Sequence, residues 1–218
     1  MKPFDLQHRV PVEDPLKLWV RGLAKLKRMW VSMTYPFASR GRNCEIHHTC
    51  DLRRQTAHRI MLGNRVGLAK DVRIRVCAPP EETGGPVIVI EDCCGIGPWS
   101  MISARNSIHL ERDVITGPSV LLMDHSQPYE GIPLQVKTQP VAEGGKIRIG
   151  QGSWIGHGAA IVCTQGELVL GRNCIVAANA LVTRSFPPYC VISGNPARIV
   201  KQFDPVKKVW VLGYRSRE

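Results

Sequence analysis

From about residue 46 onward an aliphatic side chain returns every sixth position, followed by small or turn-forming residues. The run is clearest at Ile149-Gly-Gln-Gly-Ser-Trp, Ile155-Gly-His-Gly-Ala-Ala and Ile161. It resumes at Leu170-Gly-Arg-Asn-Cys-Ile, Val176-Ala-Ala-Asn-Ala-Leu and Val182. Earlier frames begin at Ile46, Leu52, Leu62, Leu68, Ile74, Ile90, Ile96, Ile102, Leu110, Thr116 and Leu122. Of these 17 frame starts only Thr116 is not aliphatic, and the residue four further on is Ser, Thr, Ala, Val or Cys in 14. Neither a helix of period 3.6 nor a half-buried strand of period 2 has this rhythm. A fixed short period is the mark of a coiled repeat architecture.

Six residues suffice for one short strand and a corner, so three units close a triangular coil. The aliphatic side chain would point into the prism and stack on its counterpart one coil above and below. The small residue four positions on would also point inward, near a corner too tight for a long side chain. Gly, Asn and Asp supply the turns, and stacked parallel strands pair every backbone donor and acceptor except at the two ends. Four of the eight cysteines, Cys44, Cys50, Cys94 and Cys174, occupy the small slot, and no CxxC pair occurs. They read as compact buried thiols rather than a disulfide or metal framework.

With these residues in view, Ile149 to Lys201 (IGQGSWIGHGAAIV…LGRNCIVAANALVTRSFPPYCVISGNPARIVK) resembles the hexapeptide-repeat acyltransferases. The likeness extends over roughly 41–203 and is nearest to the sugar and polysaccharide O-acetyltransferase branch. It implies an all-β, left-handed parallel β-helix, and the hand comes from the resemblance alone, against the general right-handed rule. The domain reading is a basic helical segment at 1–40, the β-helix at 41–203 and a basic tail at 204–218. Three segments interrupt the repeat, at 53–61, 77–87 and 123–148, the last the longest and so the most telling.

His125, in Asp124-His125-Ser126-Gln127, is the leading catalytic candidate. An alcohol attacking a thioester needs a base near neutral pKa, and a histidine where a rigid coil meets a loop combines support with access. It matches the family's catalytic histidine, although the second histidine of the polysaccharide branch's Asp-His-x-His is replaced by Gln127. Asp124 would orient or charge-stabilise the imidazole, with a backbone carbonyl an equal alternative because strand neighbours face opposite ways. Gly-Ala corners suit an extended pantetheine arm, and Arg184, Arg198 and Lys201 gather charge suited to phosphate. The resemblance implies that His157, Ala178, Thr183, Arg184, Arg198 and Lys201 contact acetyl-coenzyme A. Trp154 would pack on the coenzyme arm or an adjacent subunit. No metal is expected: the close histidine pair of the zinc-binding β-helices is absent around His125 and His157, and His47 and His48 read as surface residues.

The resemblance also implies a homotrimer with the site between chains, a coenzyme A donor and a carbohydrate acceptor. With 29 basic against 18 acidic side chains the net charge is +11, which favours an anionic partner. Aromatics are too sparse, at 6%, for a base-stacking surface, so nucleic acid is not expected. In the N-terminal segment Leu16, Trp19, Leu23, Leu26, Trp30 and Met33 form an apolar stripe at helical spacing. Residues 15–34 would therefore pack on protein or rest on anionic lipid. Without a signal sequence or an 18-residue apolar run, the chain is expected to be cytoplasmic, peripheral to the membrane at most. The function expected is acetyl transfer to a sugar or surface-polysaccharide hydroxyl, with direct attack on the thioester. A non-sugar acceptor and a non-catalytic trimeric module are the alternatives.

Overall fold

The computed structural model describes residues 22, 26, 29–31, 34–77, 84–127, 131, 135, 138–139 and 144–212. The chain divides into two units, Met1–Thr34 and Tyr35–Glu218. In the first, the described residues Gly22, Leu26, Met29, Trp30, Val31 and Thr34 are helical, and Leu26, Met29 and Trp30 are exposed. Leu16, Trp19, Leu23 and Met33 of the expected stripe lie outside the described residues. Among those described, no helix is long and apolar enough to cross a membrane.

The second unit winds through three parallel sheets in turn. Sheet 1 stacks Ser39–Arg40, Ile60–Leu62, Ile88–Ile90, Ser107–Leu110, Lys146–Ile149 and Glu167–Leu170. Sheet 2 takes the next strand of each coil, Glu45–Ile46 up to Ile175–Val176, and sheet 3 the one after, Asp51–Leu52 up to Leu181–Val182. All 17 frame starts fall in three inward columns. One runs Leu62, Ile90, Leu110, Ile149, Leu170; another Ile46, Leu68, Ile96, Thr116, Ile155, Val176; the third Leu52, Ile74, Ile102, Leu122, Ile161, Val182. The aliphatic members are buried and fill the prism. Each such side chain contributes about 1.5–3 kcal/mol. Thr116 is tolerated because its hydroxyl accepts the Gly97 amide at 2.9 Å.

The small slot has a polar use as well. Cys44, Cys50, Cys94 and Cys174 aim their thiols at carbonyls of the following coil: Gly63 at 3.0 Å, Ala69 at 3.1 Å, Glu111 at 3.1 Å and Pro187 at 3.2 Å. Ser100 and Ser153 do the same with Gly117 and Gly171, both at 3.3 Å. Burial pushes the Cys50 thiol up to about 11 and Cys94 up to about 12, so both stay protonated at neutral pH. Three positions after the inward residue the corner takes positive φ even where the side chain is unsuited to it, as at Arg65 (55°) and Trp99 (59°). Closure of the coil overrides local preference there.

Two boundaries differ from the sequence reading. Met123 ends its strand and Lys146 begins the next, so the interruption is 124–145 rather than 123–148. The segment read as a tail from 204 contains Val209–Leu212, which pairs antiparallel with Arg198–Asp204; the latter pairs with Cys190–Ser193 and extends sheet 2 beyond the last coil. No six-residue signal marks this hairpin, because it is antiparallel and its final strand is exposed at every residue.

Leu110 is fully buried in the middle of its column. Leu110→Ala should cost about 2–5 kcal/mol, read as a lower urea midpoint with an unchanged slope.

Candidate active site

The columns reveal where the site is built. Each column advances from coil to coil by 22, 28, 20, 39 and 21 residues, as from Ile46 to Leu68, Ile96, Thr116, Ile155 and Val176. Within every coil the steps from sheet 1 to sheet 2 and from sheet 2 to sheet 3 are six residues. Every extra residue therefore leaves the prism at one place, the corner from sheet 3 back to sheet 1. The 3-10 helix Arg54–Arg59, the points where the chain departs after Cys77 and Asp124, and the Cys163-to-Glu167 turn all lie at that edge.

The long loop is pinched shut at its base. The Gly145 amide donates to the Asp124 carbonyl at 2.6 Å. Gly144 sits at φ +81°, where a Cβ would meet the Asp124 oxygen at 2.5 Å and the His125 Cβ at 3.3 Å. Glycine is required there both by the backbone angle and by this close approach.

Asp124 and His125 face opposite ways. Asp124 turns into the prism and is fully buried. Its carboxylate accepts three backbone amides of the preceding coil, Arg105 at 2.7 Å, Asn106 at 2.8 Å and Ser107 at 2.8 Å. The sequence reading left Asp124 and a backbone carbonyl as equal alternatives for orienting the imidazole. The structure gives the carboxylate's hydrogen bonds to the backbone, because consecutive residues at a strand end alternate between faces. Asp124 is thus a positioning residue that ties the loop's base to the coil.

His125 turns outward, half-buried, with Nε2 at 2.9 Å from the Ser103 hydroxyl. Ser103 is itself buried, and its Oγ stands 3.6 Å from the Cys77 thiol of the coil before. The imidazole's pKa is raised, foremost by the neighbouring Cys77 thiol, against the opposing effect of burial; Asp124 adds charge attraction and Arg105 opposes it. The Cys77 thiol is correspondingly lowered, foremost by His125 and secondarily by Ser103. Ser103 and Cys77 were missed by sequence reasoning. The available signal was register: Ser103 lies in the outward column with Arg75 and Met123, and two residues on from Arg75 and Met123 come Cys77 and His125.

The residues expected at the coenzyme are exposed and divided among several places. Trp154 stands on the outer face of sheet 2, while His157 and Ala178 occupy the corner between sheets 2 and 3. That corner is across sheet 3 from His125. Thr183 follows the last strand of sheet 3, and Arg184 lies over the Phe186 ring, 5.2 Å from its centroid. Arg198 and Lys201 ride on the first antiparallel strand. Among the described residues no group of three His, Cys, Asp or Glu could hold a metal ion.

The sequence matches no family model. WbbJ of Escherichia coli K12, described as a lipopolysaccharide biosynthesis O-acetyl transferase, is 28% identical over 136 residues, covering 58% of this chain and 66% of its own. A chloramphenicol acetyltransferase of Agrobacterium fabrum is 30% identical over 127 residues, 57% of this chain and 56% of its own. The chain thus spans less than two-thirds of the length of these curated relatives. Among solved structures, the N-acyltransferase AntD from Bacillus cereus, in complex with dTDP and 3-hydroxybutyryl-CoA, superposes with a TM-score of 0.64 at 17% identity, over 82% of this chain and 86% of that one. A variant of it bound to dTDP-4-amino-4,6-dideoxyglucose and coenzyme A also gives 0.64, at 16% identity over 84% and 90%. The fold is the left-handed parallel β-helix, with the hand that the resemblance implied. Repeat, fold and relatives alike make the chain similar to the hexapeptide-repeat acyltransferases.

Asp124→Ala should leave three amides without their acceptor and cost about 3 kcal/mol or more, measured by chemical unfolding. Gly144→Ala should disturb His125 through the loop base, lowering activity by a larger factor than it lowers the unfolding midpoint.

Proposed function

We propose that this protein transfers an acetyl group from acetyl-coenzyme A to a hydroxyl of a sugar or surface-polysaccharide precursor, with His125 as general base. The observation that carries the reading is the placement of His125. Its imidazole leaves the rigid coil at the one edge where all the insertions gather, anchored by Ser103 at 2.9 Å. Insertions of different length along that edge form a surface that a bulky acceptor can meet, which is where substrate choice in such a fold must reside. The names of the relatives support the same class, WbbJ for sugar-linked O-acetyl transfer and AntD for binding acyl-coenzyme A and a nucleotide sugar.

In this mechanism the acceptor hydroxyl gives its proton to His125 as its oxygen attacks the thioester carbonyl. The tetrahedral oxyanion collapses, the carbon–sulfur bond breaks, and the departing coenzyme A thiolate takes the proton from the imidazolium. Backbone amides would stabilise the oxyanion. Trp154, His157, Ala178, Thr183, Arg184, Arg198 and Lys201 would hold the coenzyme. Since His157 and Ala178 lie across sheet 3 from His125, one chain does not bring them to its own base. A homotrimer packed on the flat prism faces would place that corner of one copy at the His125 edge of the next. Residues 15–34, with Leu26, Met29 and Trp30 exposed, would give such an assembly a contact with anionic lipid.

His125→Ala should lower turnover by roughly 10²–10⁴-fold in a free-thiol release assay with hydroxyl and amino sugar acceptors, while the thermal shift given by coenzyme A persists. Near-normal turnover would remove His125 from the mechanism, and preference for an amino sugar would replace O- with N-acetylation. Sedimentation equilibrium should give three copies, and vesicles of anionic lipid should pull down the full chain but not a version lacking residues 1–34.

A further inference from the structure

Seven of the eight thiols have structural reasons to be where they are or no partner chemistry of note. Cys44, Cys50, Cys94 and Cys174 close rungs to the next coil. Cys163 and Cys190 are buried, and Cys163 points at the Gln165 carbonyl at 3.3 Å. Cys93 is half-buried and sits 2.9 Å from the Arg65 guanidinium. Cys77 differs in kind. It is half-buried at the insertion edge, outside the prism, and its sulfur faces a hydroxyl that in turn faces an imidazole.

We propose that Cys77, Ser103 and His125 form a single proton-sharing unit, in which Cys77 is a reactive thiol open to soft electrophiles and the charge partner that positions His125. Three successive coils supply the members, one each, in outward positions two residues apart or in direct register. The Ser103 hydroxyl is both donor and acceptor, so it can pass a proton from sulfur to nitrogen, leaving thiolate and imidazolium. The environment favours that transfer from both ends, since the nearby imidazole lowers Cys77 and the nearby thiol raises His125. The charged groups around the pair are Asp124, which favours the imidazolium and disfavours the thiolate, and Arg105, which disfavours the imidazolium. Arg105 also bonds the Cys77 carbonyl at 3.1 Å, which fixes the end of that strand beside the pair. The usual carboxylate partner is lacking here because Asp124 is held by the three amides of 105–107.

The first test is chemical and does not depend on the acetyl-transfer reading. With iodoacetamide, the Cys77 sulfur forms a carbon–sulfur bond as the carbon–iodine bond breaks and iodide leaves. At pH 7 the full chain should be alkylated at Cys77 at least about tenfold faster than at Cys93, by peptide mass spectrometry. His125→Ala and Ser103→Ala should each slow the Cys77 reaction by about tenfold and leave Cys93 unchanged. Equal rates at the two thiols, or a Cys77 rate indifferent to both substitutions, would overturn the proposal. Matching far-ultraviolet circular dichroism and Cys93 rates show that the variants are folded.

The second test rests on the proposed activity. In Cys77→Ala the imidazole loses the neighbour that raises its pKa, so the free base persists to lower pH. The acid limb of kcat/KM should therefore move to lower pH, a change that a purely structural defect would not cause. Cys77→Ser restores a hydrogen-bonding partner without an anion, so it should recover more of the plateau rate than Cys77→Ala while keeping the displaced limb. An acid limb that stays in place in both variants refutes the charge partnership. Absence of activity in the wild type would instead count against the acetyl-transfer reading, with the alkylation result still deciding this one.

Discussion

Three columns of aliphatic side chains, each resting on its like one coil away, are what the rest of this molecule depends on. A parallel coil has no local hydrogen bonds to hold it: from Ser39 to Val182 every strand pairs with a partner 20 to 39 residues away in sequence. Only the inward stack makes those distant pairings worth forming, because it removes a continuous apolar surface from water. Its demand is geometric. The inward residue must return at the same height on each face, so two of the three corners tolerate no extra residue in any coil.

That rigidity explains why the insertions collect at one edge. Variation excluded from two corners is concentrated at the third, where surplus residues project without disturbing the columns. The edge gains loops from five successive turns, and the long loop is welded to the coil at its root by the buried Asp124 carboxylate and by Gly144 and Gly145. His125 emerges beside that weld. A side chain on a flexible segment loses orientation; here the residue before His125 is tied by backbone hydrogen bonds to Ser103 and Gly145. The buried carboxylate and the outward imidazole are two outcomes of one alternation along the chain.

Much of this was legible beforehand. The frames from Ile46 to Val182 are the three columns, residue for residue, because stacking imposes the same chemical requirement at each return. The Cys and Ser slots were legible for the same reason, since a tight inward corner selects by volume. His125 stood out by its position at the end of a frame. The direction of Asp124 was not resolved, as the alternation of faces can be continued or broken at a loop. The 198–212 hairpin escaped notice because antiparallel pairing leaves no six-residue trace. Ser103 and Cys77 escaped because only the register between coils ties them to a histidine 22 residues beyond Ser103, and the unequal interruptions hide that register.

The order of residues alone determined the coil, its inward columns, its interruptions and the identity of the candidate base, since these follow from a period that any reader can count. Tertiary structure decided which side chains meet across coils. The lengths of the interruptions fix the register between one turn and the next, and only closure of the prism turns those lengths into the contacts of Cys77, Ser103 and His125. The same closure sent the Asp124 carboxylate inward, where three backbone amides offered more hydrogen bonds than a single imidazole could.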